Sequence, residues 1–324
     1  MRSLGKWLGR IVIVIGAVLA VVIFAPGEGI ERVEAPRQIN DAVGYLAARE
    51  NDDEITEGTE ARIIWAGEEG ARSDTVVLYL HGFSASSEEI RPVPDRVAEA
   101  FGANLVFSRL TGHGSTGEAL GAARAGDWVE DAEMFLEIAR QVGDRVIVIG
   151  TSTGATLAAY ILAEQAPSEA VEAVVMISPN FEVANPAGPL LELFGARVWV
   201  PWIAGAERSF EPINAGQATY WTTRYPTVAT VSMGTLLRET RARDYSGVDI
   251  PALFLFSDTD QVISAPAARE FAARWGGETT VIPVAVPDEG GDPFHHVIAG
   301  DILSPALTDR AVDDIVGWLR ETLD

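Results

Sequence analysis

Ser152 sits in the pentapeptide Gly150-Thr151-Ser152-Thr153-Gly154. An apolar run, Val146-Ile147-Val148-Ile149, precedes it, and a helix-like run over residues 155–165 follows. Strand, Gly-x-Ser-x-Gly, helix is the context in which a serine hydroxyl is presented as a nucleophile. The turn is so sharp that the serine occupies strained backbone, and the flanking glycines remove side chains that would clash there. The helix that starts beside it adds N–H groups and the positive end of a dipole, which favour a developing oxyanion.

A hydroxyl needs a base, and the base needs an orienting acid. Four histidines are available: His81, His113, His295 and His296. Downstream of Ser152, the run Ala252-Leu253-Phe254-Leu255-Phe256 reads as a buried strand that leads into Asp258 and Asp260. An acid just past the carboxyl end of a parallel strand is where such a sheet places its sites. A further strand pattern over 279–287 leads through a loop to His295 and His296. Neighbouring side chains on extended backbone point in opposite directions, so one of this pair reaches Ser152. The residues alone leave Asp258 against Asp260, and His295 against His296, open.

Other pieces fall in a fixed order. His81-Gly82-Phe83 follows a strand pattern at 75–80, and Arg109-Leu110-Thr111-Gly112-His113-Gly114 follows another at 104–108. Then come Asp127-Trp128-Val129-Glu130-Asp131, the serine turn, Asp260-Gln261-Val262-Ile263 and His296-Val297-Ile298. In this order the chain resembles an α/β-hydrolase of the monoacylglycerol lipase, carboxylesterase and serine aminopeptidase group. The resemblance implies an α/β fold: a mostly parallel central sheet, helices on both faces and a helical cap insertion. It implies Ser152 as nucleophile, Asp260 as acid and His296 as base, because an acid followed by an apolar pair and the His-Val-Ile pattern both fit the family. It implies Phe83 and Thr153 as oxyanion-hole positions acting through backbone N–H groups, and His81 as a structural histidine of that loop. Thr151 departs from the His or Tyr frequent before the serine in lipases.

Two alternative chemistries are disfavoured. Gly112-His113-Gly114-Ser115-Thr116-Gly117 matches Gly-x-Gly-x-x-Gly, but the strand after it ends in the serine turn rather than in a ribose-binding acid. It reads as a loop, and no cofactor is expected. Nor is a metal expected, since cysteine is absent and adjacent histidines do not place two ligands on one face.

The chain of 324 residues is long enough for one α/β domain with an insertion, placed at 61–324 with a cap at about 180–249. Its formal charge of −23 disfavours nucleic acid, whose phosphates need a basic surface. The absence of cysteine excludes disulfides and thiol chemistry. Residues 1–26 differ in kind. Arg2, Lys6 and Arg10 precede an apolar run from Ile11 to Ala25. We read this segment as an uncleaved N-terminal transmembrane helix, with a cleaved signal peptide as the alternative. Basic residues before the span place the catalytic domain on the periplasmic or exterior side. An acidic connector at 27–60 follows. In it, 40–49 has the pattern of a short helix with Val43, Leu46 and Ala47 on one side, and Glu50 to Glu54 reads as a solvated run.

The insertion carries Leu190, Leu191, Leu193, Phe194, Trp199, Trp202, Phe210, Tyr220, Trp221 and Tyr225. An apolar roof over a serine favours an acyl substrate. The leading expectation is therefore an ester hydrolase acting on a small acyl ester through an acyl-enzyme. A serine peptidase or amidase is the second, with Glu182, Glu192 and Glu207 as candidate binders of a substrate ammonium. A catalytically silent binding protein is the third.

Overall fold

The structure is a computed structural model describing residues 2–31, 39–51, 54–163 and 170–323. Seven strands form the central sheet: β1 (Arg62–Ile64), β2 (Ser73–Leu80), β3 (Asn104–Phe107), β4 (Gly143–Thr151), β5 (Val171–Ile177), β8 (Ala252–Phe256) and β9 (Thr279–Pro283). Their spatial order is β1-β3-β2-β4-β5-β8-β9. The β1–β3 pair is antiparallel and every other pair is parallel.

Parallel strands buried on both faces read as continuous apolar runs rather than alternations. Val76 to Leu80 and Val146 to Ile149 are such runs, and every residue in them is buried. Successive side chains leave the sheet on opposite faces and feed two cores. Val76, Leu78, Val146 and Val148 join one, with helix α5 (Ala125–Val142) and helix α6 (Thr153–Leu162). Val77, Tyr79, Ile147 and Ile149 join the other, with helices α3 (Val93–Ala100) and α11 (Thr308–Leu323). Helices on both faces of a mostly parallel sheet are the architecture expected.

The expected strand at 279–287 ends at Pro283. The expected helix after the serine turn ends at Leu162, and its last two residues, 164 and 165, lie outside the described set. Between β5 and β8 the chain forms α7 (Ala196–Ala204), a two-stranded hairpin of β6 (Glu207–Ser209) with β7 (Arg224–Pro226), α8 (Ala215–Tyr220) inside that hairpin, and α9 (Val228–Arg241). Its aromatic residues divide: Trp221 is buried, whereas Trp202 is 87% exposed and Phe194 is also exposed. The apolar roof expected from composition thus faces outward in part.

The connector departs from its sequence reading in two ways. Helix α2 (Ala42–Arg49) forms, but Ala42 and Leu46 are its buried residues, while Val43 and Ala47 are exposed. Nor is Glu50 solvated. Its carboxylate pairs with Arg109 and accepts from the Ala61 N–H, while neighbouring Arg49 pairs with Asp131 on α5. Asp52 and Asp53 lie outside the described residues. Earlier in the connector, Glu28 pairs with Arg124 and Arg197, tying the segment to the start of α5 and to α7.

Arg2–Phe24 forms one helix, α1, of 23 residues, with Trp7, Val12, Ile13 and Phe24 exposed. The side chains of residues 2–6, 8, 9, 18 and 19 are outside the described set. Among the described residues no helix is long and apolar enough to cross a membrane, so the expected transmembrane span gains no support from the structure.

Candidate active site

Strand β4 ends at Thr151 and helix α6 begins at Thr153, leaving Ser152 alone to turn the chain. It does so at φ 52°, ψ −116°, a conformation that disfavours any side chain. The neighbouring glycines are required by space. A Cβ on Gly154 would lie 2.0 Å from the Leu80 carbonyl oxygen, and one on Gly150 would lie 2.7 Å from Ala155 Cα. The bare approach of Gly154 sets the start of α6 against the end of β2, where His81-Gly82-Phe83 begins. The strain is held by hydrogen bonds from the Ser152 N–H to Ile177 O (2.9 Å) and from the Asn180 N–H to Ser152 O (3.2 Å).

His296 Nε2 lies 3.0 Å from Ser152 Oγ, and its Nδ1 lies 2.8 Å from Asp260 Oδ2. The Asp260 carboxylate is fully buried, and its other oxygen accepts the N–H groups of Val262 (2.7 Å) and Ile263 (2.9 Å). The two competing residues are engaged elsewhere. Asp258 pairs with Arg269 on α10 (Ala265–Arg274). His295 takes φ 56° and bonds Thr259 Oγ1 through Nδ1 at 2.7 Å. This left-handed residue swings the two imidazoles apart.

Burial works against a charged His296, but the Asp260 carboxylate, with help from Glu89 and Asp292, outweighs it and holds the imidazole above its ordinary pKa. His81 goes the other way. Burial above all pulls it down to about 4, so it is neutral, with Nδ1–H donating to Gly82 O (2.9 Å) and Nε2 accepting from the Leu110 N–H (3.1 Å). Phe83 packs edge-on against Tyr225 of the insertion, with ring centroids 5.3 Å apart, and the Thr222 N–H donates to Ser84 O at 2.7 Å. The insertion therefore rests directly on the loop that carries Phe83.

Three residues near this relay were not singled out from sequence. Asp292 accepts the N–H groups of Phe294, His296 and Val297, shaping the histidine loop. Ser178 Oγ donates to His296 O at 2.6 Å from the end of β5. Glu89 is buried behind the Gly82 N–H. Asp292 had a weak signal, an acid four residues before the histidine that can cap a turn. The other two had none.

A family model described as "Serine aminopeptidase, S33" matches residues 71–283. The chain belongs to this family. The chain is 27% identical over 187 residues to the thermostable monoacylglycerol lipase of Bacillus sp. (strain H-257), covering 58% of this chain and 71% of that one. Among solved structures, a metagenome-derived lipolytic enzyme of the LipS and LipT pair aligns with TM-score 0.64 and 19% identity over 82% of this chain and 99% of its own. The monoacylglycerol lipase of Paleococcus ferrophilus aligns with TM-score 0.60 and 15% identity over 81% and 99%. These structural likenesses are likenesses of fold. Family and fold together make the chain an α/β-hydrolase, similar to known lipases and esterases.

Proposed function

We propose that this protein is a serine ester hydrolase that cleaves a small apolar acyl ester, such as an acyl glycerol, through an acyl-enzyme. The observation that carries the reading is the relay Ser152 Oγ–His296–Asp260, at 3.0 and 2.8 Å. His296 takes the Ser152 proton as the oxygen attacks the ester carbonyl. Asp260 holds the imidazole in the tautomer that leaves Nε2 free to accept, and stabilises the positive charge that follows. The Phe83 and Thr153 N–H groups receive the oxyanion. His296 then protonates the departing alcohol, and later activates the water that releases the acid.

The acyl-glycerol class is supported by the Bacillus relative's own description as a monoacylglycerol lipase. The family's aminopeptidase description sustains an amidase as the alternative, but two of the carboxylates that reading needs are engaged. Glu192 is held by Arg241 through both oxygens, and Glu207 pairs with Arg224. The Glu192 pair is the more enclosed of the two and so the better neutralised, whereas the exposed Glu207–Arg224 pair is weak. Ser152→Ala should lower turnover of p-nitrophenyl esters by about a thousandfold or more without unfolding the protein, and abolish fluorophosphonate labelling. Near-full activity in that variant discards the reading. A panel of acyl esters beside aminoacyl amides separates esterase from amidase.

Residues 1–26 are further proposed to hold the enzyme at a membrane, with the catalytic domain on the periplasmic or exterior side. Support comes from the basic residues ahead of the apolar run. A cleaved signal peptide is the competing reading, and alkaline extraction of membranes separates the two.

A further inference from the structure

Behind the relay lie three buried polar side chains that the proposed reaction does not use: Thr151, Tyr79 and Glu89. Tyr79 rises from β2 beside Thr151, the last residue of β4. Its hydroxyl lies 3.2 Å from Thr151 Oγ1 and donates to Glu89 Oε2 at 3.1 Å. The same carboxylate oxygen accepts the Gly82 N–H at 2.7 Å. Glycine at 82 permits this approach, since a Cβ there would lie 2.7 Å from Glu89 Oε1.

Both hydrogen-bond donors to Glu89 are neutral, and a buried carboxyl with no cation bonded to it is costly to keep ionised. Burial pushes it up to about 7, against the opposing pull of the Gly82 N–H, the nearby His296 and the Tyr79 hydroxyl. A core position filled by Glu rather than an apolar residue is a stability cost, and the geometry shows what is gained in return. His81 Nδ1–H holds the Gly82 carbonyl at 2.9 Å, and Glu89 holds the Gly82 N–H. Because the peptide is planar and trans, fixing the Gly82 carbonyl towards His81 points the Phe83 N–H the opposite way. Glycine would otherwise rotate freely at this point.

We propose that Glu89 is a positioning residue of the oxyanion hole: it holds the His81–Gly82 peptide through the Gly82 N–H, while His81 holds the following Gly82–Phe83 peptide through its carbonyl, and it links this loop through Tyr79 to Thr151, so that the loop donor at Phe83 and the elbow donor at Thr153 are held in register. This rests on the esterase reading and gives Thr151, the departure from the lipase pattern, a role as the elbow's end of the link. A donor held in place beforehand costs no reorganisation when the oxyanion forms, so its misplacement is felt in the transition state rather than in substrate binding.

The test compares Glu89→Ala, Glu89→Gln and Tyr79→Phe in the full chain, reading ester kinetics and amide hydrogen exchange at Gly82 and Phe83. Glu89→Ala should lower kcat by about ten- to a hundredfold with KM within about twofold, and should speed exchange at both amides. Glu89→Gln keeps an oxygen that accepts the Gly82 N–H and should recover much of the loss. Tyr79→Phe, which cuts the link to Thr151, should fall between. If Glu89→Ala does not fold, the other two variants carry the test. Unchanged kcat in folded variants, a loss lying wholly in KM, or exchange as slow as in the wild type overturns the proposal. Exchange is also read in a Ser152→Ala background. Fast exchange in the Glu89 variants there supports the clamp even if esterase activity proves independent of Ser152, an outcome that sinks only the esterase reading.

Discussion

Ser152 occupies a backbone conformation that no isolated peptide would keep, and the surrounding residues hold it there. Gly150 and Gly154 make room, Ile177 and Asn180 supply the bonds, and Asp260 holds the imidazole that faces Ser152. Two consequences follow at this scale. Asp260→Asn presents an amide N–H to His296 Nδ1 or turns an oxygen to it at the cost of the Val262 and Ile263 bonds; the preferred tautomer then leaves Nε2 protonated and unable to accept from Ser152. Ester kcat should fall by about ten thousandfold with the fold retained. In the proposed mechanism His296 accepts the Ser152 proton only when neutral, and this sets the expected pH profile. Its pKa is raised, so activity should be lost as pH falls through a value above 6.5, the ordinary histidine value. Removing the carboxylate should move that limb to lower pH in the residual activity of Asp260→Asn. A limb below 6.5 in the wild type, or one unmoved in the variant, contradicts the assignment. The linkage sign is fixed too: a raised histidine pKa stabilises the fold fully below 6.5, and that contribution fades as pH rises through the folded value.

At the scale of elements, α2 docks by buried ion pairs as well as by Ala42 and Leu46. Glu50 reaches Arg109, whose backbone carbonyl also accepts from Arg49 at 2.9 Å, and Arg49 reaches Asp131. Asp131 in turn accepts the Thr111 N–H. The helix thus braces the loop 109–114, whose His113 packs edge-on against Phe83. Breaking a buried pair leaves its partner uncompensated, so Glu50→Ala should destabilise the protein by about 3–5 kcal/mol in urea unfolding. A change under about 0.5 kcal/mol would mean that Arg109 is well solvated without its partner. The acid run 50–54 could not reveal this, since a partner 59 residues along the chain is set by the tertiary fold. The exposure of Val43 has the same cause: periodicity defines a helix, but the surface it meets selects which stripe turns inward.

At the scale of the whole molecule, the sheet order places the ends of β4, β5, β8 and β9 in a row, so residues 144 positions apart, Ser152 after β4 and His296 after β9, meet at one rim. The insertion leaves from the end of β5 and returns to β8, resting on the Phe83 loop. The connector ties the molecule's first residues to this assembly through Glu28, Arg124 and Arg197. If residues 1–26 anchor the chain, isolated membranes should keep the full-length protein through an alkaline wash. A shortened, fully released protein would favour signal cleavage.

The sequence by itself determined the parts whose information is local. The strand runs, the Gly-x-Ser-x-Gly turn and the glycines around it follow from neighbouring residues, because backbone sterics and periodicity act over a few positions, whereas Asp260 and His296 are singled out by the family resemblance. Tertiary structure decided what depends on distant partners. It brings Asp260 and His296 within hydrogen-bond reach of each other, while Arg269 and Thr259 engage Asp258 and His295. It also placed Glu89 behind Gly82 and Thr151, where a surface-like Glu-Glu sequence gave no sign of a buried carboxylate. The physical reason is common to all three: which polar group is desolvated, and which donor it meets, is fixed only when remote segments of the chain pack together.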